Sequence, residues 1–358
     1  MRAVPASVAL LLISCAPPDA QRYLAWQVDG DGYVVAPRDM GAMRDLEGVS
    51  GTVGTVYQGG LITIENNGDT FYDGGRDMHV VYGVDGGVAV PTDEQGLLLW
   101  SFLGHLEDLA AELPDHGFEA AVFFPIDAAW SPVIPDLTLE MLPMENAAYA
   151  TAGHFFILLN DLIDKDIPLA ANAGIVRHEF GHAAFHWLTT GGVMASSPFD
   201  AVSLTAPSLY YSSLHEAFAD SFAGLTLDDP NFFEGSLEMP DRDMSGDHLL
   251  DAVQLPEQFL DETEDDPLAI WDPYPLGTVF ASTAWDTREA LDDPAEALAI
   301  LTDGVLSWTD AGDFGDAWGL LEHWVDAAPE GEARDGLCDA IHVRFGAAYV
   351  PSACGGGR

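Results

Sequence analysis

Lysine is almost missing from this chain. Lys165 is alone among 358 residues, and the twelve lysines and arginines face 59 aspartates and glutamates, for a net charge of −47 at pH 7. A chain this acidic repels polyanions, which argues against nucleic acid as a partner, and anionic membrane surfaces would repel its folded part as well. Such a surface suits salty water, where counterions screen the self-repulsion, or an acidic secreted proteome. Long apolar runs are missing too: nothing approaches the roughly 20 residues that a bilayer-spanning helix needs. Cysteine is scarce, with three residues, and there is no internal repeat. The 36 glycines and 22 prolines are spread as turn markers and form no low-complexity tract. Apolar residues are plentiful, at 48% of the chain. A single hydrophobic core stops growing at roughly 250–300 residues, so two lobes are expected.

The first residues read as an export signal. Arg2 is a minimal positive region, Val8 to Ile13 is a short apolar run, and Leu12-Ile13-Ser14-Cys15 resembles the lipobox of bacterial lipoproteins. On that reading residues 1–15 are a lipoprotein signal, Cys15 carries the lipid, and residues 16–45 are a tether. The protein would then be exported and held at the outer membrane or cell surface by its anchor alone; the alternative is an ordinary cleaved signal with an incidental cysteine. Setting Cys15 aside leaves Cys338 and Cys354, an even remainder that in an exported chain reads as one disulfide. It would pin the C-terminal tail to the last helix and stabilise by about 3 kcal/mol in the chain-entropy model.

Apolar and polar positions alternate between glycines over residues 46–91. Thr52–Tyr57, Leu61–Ile64 and His79–Tyr82 read as strands, with Asn67-Gly68 and Asp85-Gly86 as hairpin turns. A helix is expected from Thr92, where Thr92 and Gln95 fit a capping box, to just before Pro114. Ala120–Pro125 reads as a short strand and Glu145–Leu159 as extended. Helical periodicity then takes over near 172–188, 209–225, 277–291, 295–307, 316–327 and 334–347, with loops over 228–272. Strands first and helices later is an α+β order. It divides the chain into a β-rich lobe over 46–192 and a helical lobe over 193–358.

Within the first of those helices stands His178-Glu179-Phe180-Gly181-His182, an H-E-x-x-H pattern. Residues four apart share a helix face, so both imidazoles can reach one ion. Glu179 lies to one side, where its carboxylate can act as a base without being a ligand. A catalytic zinc needs a third protein ligand and an open fourth position. A histidine six residues after His182 would suit one arrangement, but that residue is Leu188; a glutamate nineteen after it would suit another, but that residue is Ala201. Glu216 remains, in Glu216-Ala217-Phe218-Ala219-Asp220, with Asp220 one turn on to accept the free N–H of a histidine ligand. His186 extends the histidine stripe by a turn, and a fourth ligand there would close the site, so it reads as a satisfied helix histidine. Asp241 to Asp247 resembles the start of a calcium loop, but its twelfth position is Ala252 and not glutamate. Calcium elsewhere among the acidic residues has no motif to place it.

H-E-x-x-H followed by E-x-x-x-D resembles the thermolysin-like and fungalysin-like gluzincin metallopeptidases, over about residues 46–350. The resemblance implies a two-lobe fold with the H-E-x-x-H helix between the lobes, one catalytic zinc on His178, His182 and Glu216, and hydrolysis of peptide bonds. It extends to Asn146-Ala147-Ala148-Tyr149, similar to the strand that pairs with bound peptide, and to Arg242-Asp243-Met244-Ser245, similar to a segment whose arginine contacts the substrate carbonyl. Tyr274-Pro275-Leu276-Gly277 falls where the family has a histidine that stabilises the oxyanion. Tyr274, or Tyr210 or Tyr211, would then be the donor. Glu179 is expected to take a proton from water and deliver it to the leaving amine. Two departures stand out, the tyrosine in place of histidine and a short segment where secreted members carry a long pro-region. The competing function is a non-catalytic zinc-bearing lipoprotein that retains the fold; Glu179 argues for the peptidase and Tyr274 for the alternative.

Overall fold

The computed structural model describes residues 20–30, 32–64, 70–133, 147–150, 155–158, 166–191, 204–237, 239–263, 269–312, 314 and 316–355. Cys15 and its signal, Asn67-Gly68 and Asn146 lie outside the described residues.

Within residues 16–45, expected as tether, three strands form: β1 (Arg22–Asp29), β2 (Gly32–Asp39) and β3 (Met43–Asp45). β1 and β2 pair antiparallel from Arg22 opposite Asp39 to Asp29 opposite Gly32. Tyr23 and Ala25 alternate onto one face and are fully buried. With apolar Leu24 and Trp26 beside them, two buried positions make too short a pattern to stand out by periodicity. The following strands are β4 (Ser50–Gly51), β5 (Val56–Gln58), β6 (Leu61–Ile64), β7 (Thr70–Asp73), β8 (Arg76–Asp77), β9 (Tyr82–Asp85) and β10 (Val88–Pro91). β6 lies where it was expected. β5 and β9 begin later than expected, at Val56 and Tyr82. Val80 is buried, but its N–H bonds to Glu47 O outside any strand, so an apolar run there marked burial without marking pairing. Gly86 and Gly87 turn the β9–β10 hairpin at φ of 55° and 83°, the positive values that such two-residue turns demand.

Helix α1 (Glu94–Glu112) starts two residues past the expected Thr92, because Asp93 is the cap and accepts from Gly96 N–H at 2.8 Å. Thr92 instead donates its hydroxyl to Val81 O. α1 is apolar nearly all round, as a helix enclosed on both sides must be. On one side Trp100 meets Tyr23 of β1 edge-on at 5.9 Å. On the other, His105 Nε2 donates to Ala171 O at 2.8 Å. Burial drives the His105 imidazole down to about 4 from its ordinary 6.5. The unfolded chain therefore takes up a proton that the fold refuses, and stability is full above pH 6.5 and lost as pH falls towards 4. His105→Gln, which keeps a donor, should remove about 3 kcal/mol of that acid sensitivity, measured as urea stability against pH.

The apolar run expected as a strand at Ala120–Pro125 is a single helical turn, α2 (Ala120–Phe123), and the strand follows it as β11 (Asp127–Trp130). A run that short carries no periodicity to separate the two forms. The stretch near 145–159 holds β12 (Ala147–Ala150) and β13 (Phe155–Leu158), paired antiparallel with Ala147 opposite Leu158. Among the described residues two main sheets result, ordered β2-β1-β10-β9 and β12-β13-β11-β5-β8, with β12 last in its sheet.

After β13 the long elements among the described residues are helices: α3 (Ala173–Thr189), α4 (Ala206–Leu227), α5 (Pro256–Glu262), α6 (Tyr274–Leu291), α7 (Pro294–Ala311), α8 (Ala317–Ala327) and α9 (Glu332–Phe345). Six of these match the expected helices within a few residues; α5 falls in a region expected to be loop. α4 begins at Ala206 because Thr205 and Ser208 form a reciprocal capping box. The Cys338–Cys354 disulfide ties α9 to the tail, with Cα atoms 5.5 Å apart. The described residues thus mix helix and strand in the manner of an α+β class.

Candidate metal centre

Helix α3 is held at its start by a cap of unusual reach. Asn172 Oδ1 accepts from Gly174 and Ile175 N–H, while its Nδ2 donates to Phe232 O and to Ser236 Oγ. Tyr33 of β2 donates to the same Oδ1 at 2.9 Å and accepts from Ala173 N–H at 2.8 Å. The N-terminal hairpin therefore fixes the end of the helix that carries the motif. Gly181 lets α4 come close: a Cβ there would lie 2.7 Å from Ala219 Cα. Gly277 of α6 does the same from the far side of α4, where a Cβ would meet Ser213 O at 2.8 Å. Between these two close approaches α4 presents Glu216 and Asp220 to α3.

The expected ligands converge. His178 Nε2 and His182 Nε2 face each other at 3.1 Å, and Glu216 Oε2 lies 3.5 Å from the first and 3.8 Å from the second. The point equidistant from the three atoms is about 2 Å from each, the length of a zinc–nitrogen or zinc–oxygen bond. Glu216 Oε2 is buried and takes no hydrogen bond among the described residues, though Arg242 Nη2 stands 3.5 Å away. Donor types, spacing and an orphaned carboxylate oxygen fit a bound cation, and His178, His182 and Glu216 form a group that could hold a metal ion.

The charges around that point are short of a cation. Burial, then Asp220 working against it, leaves the His178 imidazole below its ordinary range, and burial with neighbouring His215 lowers His182 much further. Both rings are neutral at neutral pH, the state a ligand needs. Burial pushes both Glu179 and Glu216 up to about 8, with Glu216 itself adding to the rise at Glu179 and Arg242 opposing both. Two carboxylates held away from water would be relieved by a divalent ion. Asp220 differs: the Arg242 guanidinium and His178 outweigh its burial and hold it below the usual range. Its Oδ1 lies 2.8 Å from His178 Nδ1, which favours the ring proton on that nitrogen and leaves Nε2 bare towards the centre.

Arg242 reaches the site from the loop before α5. It pairs with both oxygens of Asp220, Nε to Oδ2 at 3.2 Å and Nη2 to Oδ1 at 2.5 Å. Its guanidinium is clamped between the rings of Phe233 and Tyr274, at 4.4 and 4.2 Å from their centroids. Glu179 is buried, its carboxylate held by Tyr149 N–H of β12, and it faces the same cavity of about 250 Å³ as the three donors. Ala147, Tyr149, Phe233, Leu237, Arg242 and Tyr274 complete most of the wall. Compared with known proteins, the chain matches no family model and no curated protein.

Of the residues expected at the site, His178, Glu179, His182, Glu216, Ala147, Arg242 and Tyr274 line this one cavity, and Asp220 stands behind it against His178. Tyr210 and Tyr211 do not. The Tyr210 hydroxyl donates to Glu257, and that of Tyr211 is bonded to Thr189 at 2.8 Å, which leaves Tyr274 as the candidate among the three. The Tyr274 phenol is raised above its ordinary value, first by Glu216 and then by burial, so it keeps its proton and remains a donor. Arg242 was expected to contact substrate; much of its guanidinium is committed to Asp220. His215 and Phe233 were not expected, and Tyr149 was expected only as part of the peptide-pairing segment. His215 stands directly before Glu216, and a polar residue beside a ligand was the one available signal.

Proposed function

We propose that this chain is a zinc-dependent endopeptidase that hydrolyses peptide bonds, with a thermolysin-like two-lobe arrangement, exported and anchored through Cys15. The observation that carries the reading is Glu179: a buried carboxylate that shares the cavity with the three-donor group without belonging to it. A purely structural ion needs no such neighbour. Two imidazoles and one carboxylate make a three-ligand zinc set with a fourth position left open. When bound, zinc supplies Lewis acidity, which polarises a carbonyl and acidifies water.

The chain's own groups do the rest. Glu179 accepts the proton of the attacking water on its carboxylate and hands it to the leaving amine nitrogen. Asp220 keeps the His178 proton on Nδ1, and Arg242 keeps Asp220 ionised. The Tyr274 hydroxyl donates to the carbonyl oxygen as charge develops there. β12 is the last strand of its sheet among the described residues and lines the cavity, which suits an extended peptide laid alongside it. Strands before α3 and helices after it support the two-lobe arrangement.

Protein purified under mild conditions should carry one zinc per chain by elemental mass spectrometry and cleave casein or a fluorogenic peptide. His182→Ala should lose both. Wild-type protein that holds no zinc, and gains no cleavage when zinc is added, overturns the reading. Zinc without cleavage of any peptide substrate would instead favour the non-catalytic lipoprotein.

A further inference from the structure

The two histidine donors are backed differently. His178 Nδ1 meets a carboxylate, whereas His182 Nδ1 meets another imidazole nitrogen, His215 Nδ1, at 2.7 Å. The two rings lie within 11° of parallel with centroids 4.6 Å apart. A bond this short needs one proton between two nitrogens, and the far side of His182 decides which ring carries it. His182 Nε2 faces His178 Nε2 and Glu216 Oε2, so it binds a cation only as a bare lone pair. Its proton then sits on Nδ1, and His215 Nδ1, 2.7 Å away, is placed to accept it.

His215 is itself held in place. The Phe185 ring packs edge-on against it at 5.2 Å, and Tyr211, whose hydroxyl is bonded to Thr189, lies 6.0 Å away. The helix–helix approach at Gly181 brings α4 near enough for the bond to form.

We infer that His215 is a positioning residue for the metal centre: as a neutral acceptor it fixes the tautomer and orientation of His182, so the two histidine ligands are supported by unlike partners. The inference rests on the zinc reading above. A ligand backed by a neutral imidazole is a weaker donor than one backed by a carboxylate, so the orientation that His215 imposes matters most at His182.

The test measures zinc affinity by chelator competition in wild type, His215→Phe and His215→Asn, with no reference to catalysis. His215→Phe keeps a ring but removes the acceptor and should weaken binding about 10–100-fold. His215→Asn offers its Oδ1 in the same place and should recover most of the loss, which a merely structural role would not. Nitrogen-15-edited spectra of zinc-loaded wild type should also show an exchange-protected proton on His182 Nδ1. Equal affinity in wild type and His215→Phe overturns the inference. So does a wild-type spectrum without that proton, which decides the matter even if His215→Phe does not fold. Failure of wild type to bind zinc at all would instead overturn the underlying reading.

Discussion

Glu179→Gln should abolish most peptide cleavage, by about 10²–10⁴-fold, while the metal content stays at one per chain. Glutamine matches glutamate in shape, and its carbonyl can still accept the Tyr149 N–H that holds Glu179. It cannot take a proton from water. Since Glu179 is not one of the three donors, the loss should fall on turnover with little change in zinc affinity. A second readout separates this from damage to the fold. In metal-free protein the Glu179 carboxyl is raised to about 8 by burial and by Glu216, so it stays protonated where the unfolded chain would ionise. That pulls stability down as pH rises from about 4.5 to about 8, and the neutral amide removes the effect. The variant, stripped of metal, should therefore be more stable than wild type at the upper end of that window. Near-normal cleavage by Glu179→Gln would mean that another group is the base.

Arg242→Met should be the most destabilising single change at the site, at about 3–5 kcal/mol by urea denaturation of metal-free protein. The Arg242 guanidinium is buried, pairs with both oxygens of buried Asp220, and stands 3.5 Å from Glu216 Oε2. Methionine can fill the slot between Phe233 and Tyr274 but leaves those carboxylates without their cation. Zinc should restore part of the loss, because a divalent ion takes over the neutralisation of Glu216. Adding Asp220→Asn should also cost much less in the Arg242→Met background than in wild type, since neutralising the orphaned partner removes the penalty. If the two changes add without coupling, the pair is not the anchor that its geometry indicates.

Much of the centre is legible in the amino-acid sequence. H-E-x-x-H and E-x-x-x-D each encode a shared face through the 3.6-residue helical repeat, so His178, His182, Glu216 and Asp220 can be paired by counting. The Cys338–Cys354 pairing follows from the number of cysteines. The flanking helices are also legible, because their apolar stripes run for three turns or more. The sequence misleads where its patterns are short. The run that forms α2 looks like a strand, the apolar residues at 79–82 place a strand too early, and Thr92 resembles a cap whose role belongs to Asp93.

Local periodicity carries a definite share of this protein: which residues share a helix face, where the long helices lie, and which donor types stand ready for a cation. Everything that depends on distant segments meeting comes from the packing of the folded chain. The β1–β2 hairpin joins its sheet where Arg22 and Tyr23 pair with distant β10, and Tyr33 caps the motif helix through Asn172. Arg242, expected at the substrate, is the partner of Asp220, and His215 is brought onto His182. No spacing rule encodes these contacts, because each is fixed by how closely two elements pack. The approach of α4 to α3 is set at Gly181 by the absence of a single Cβ.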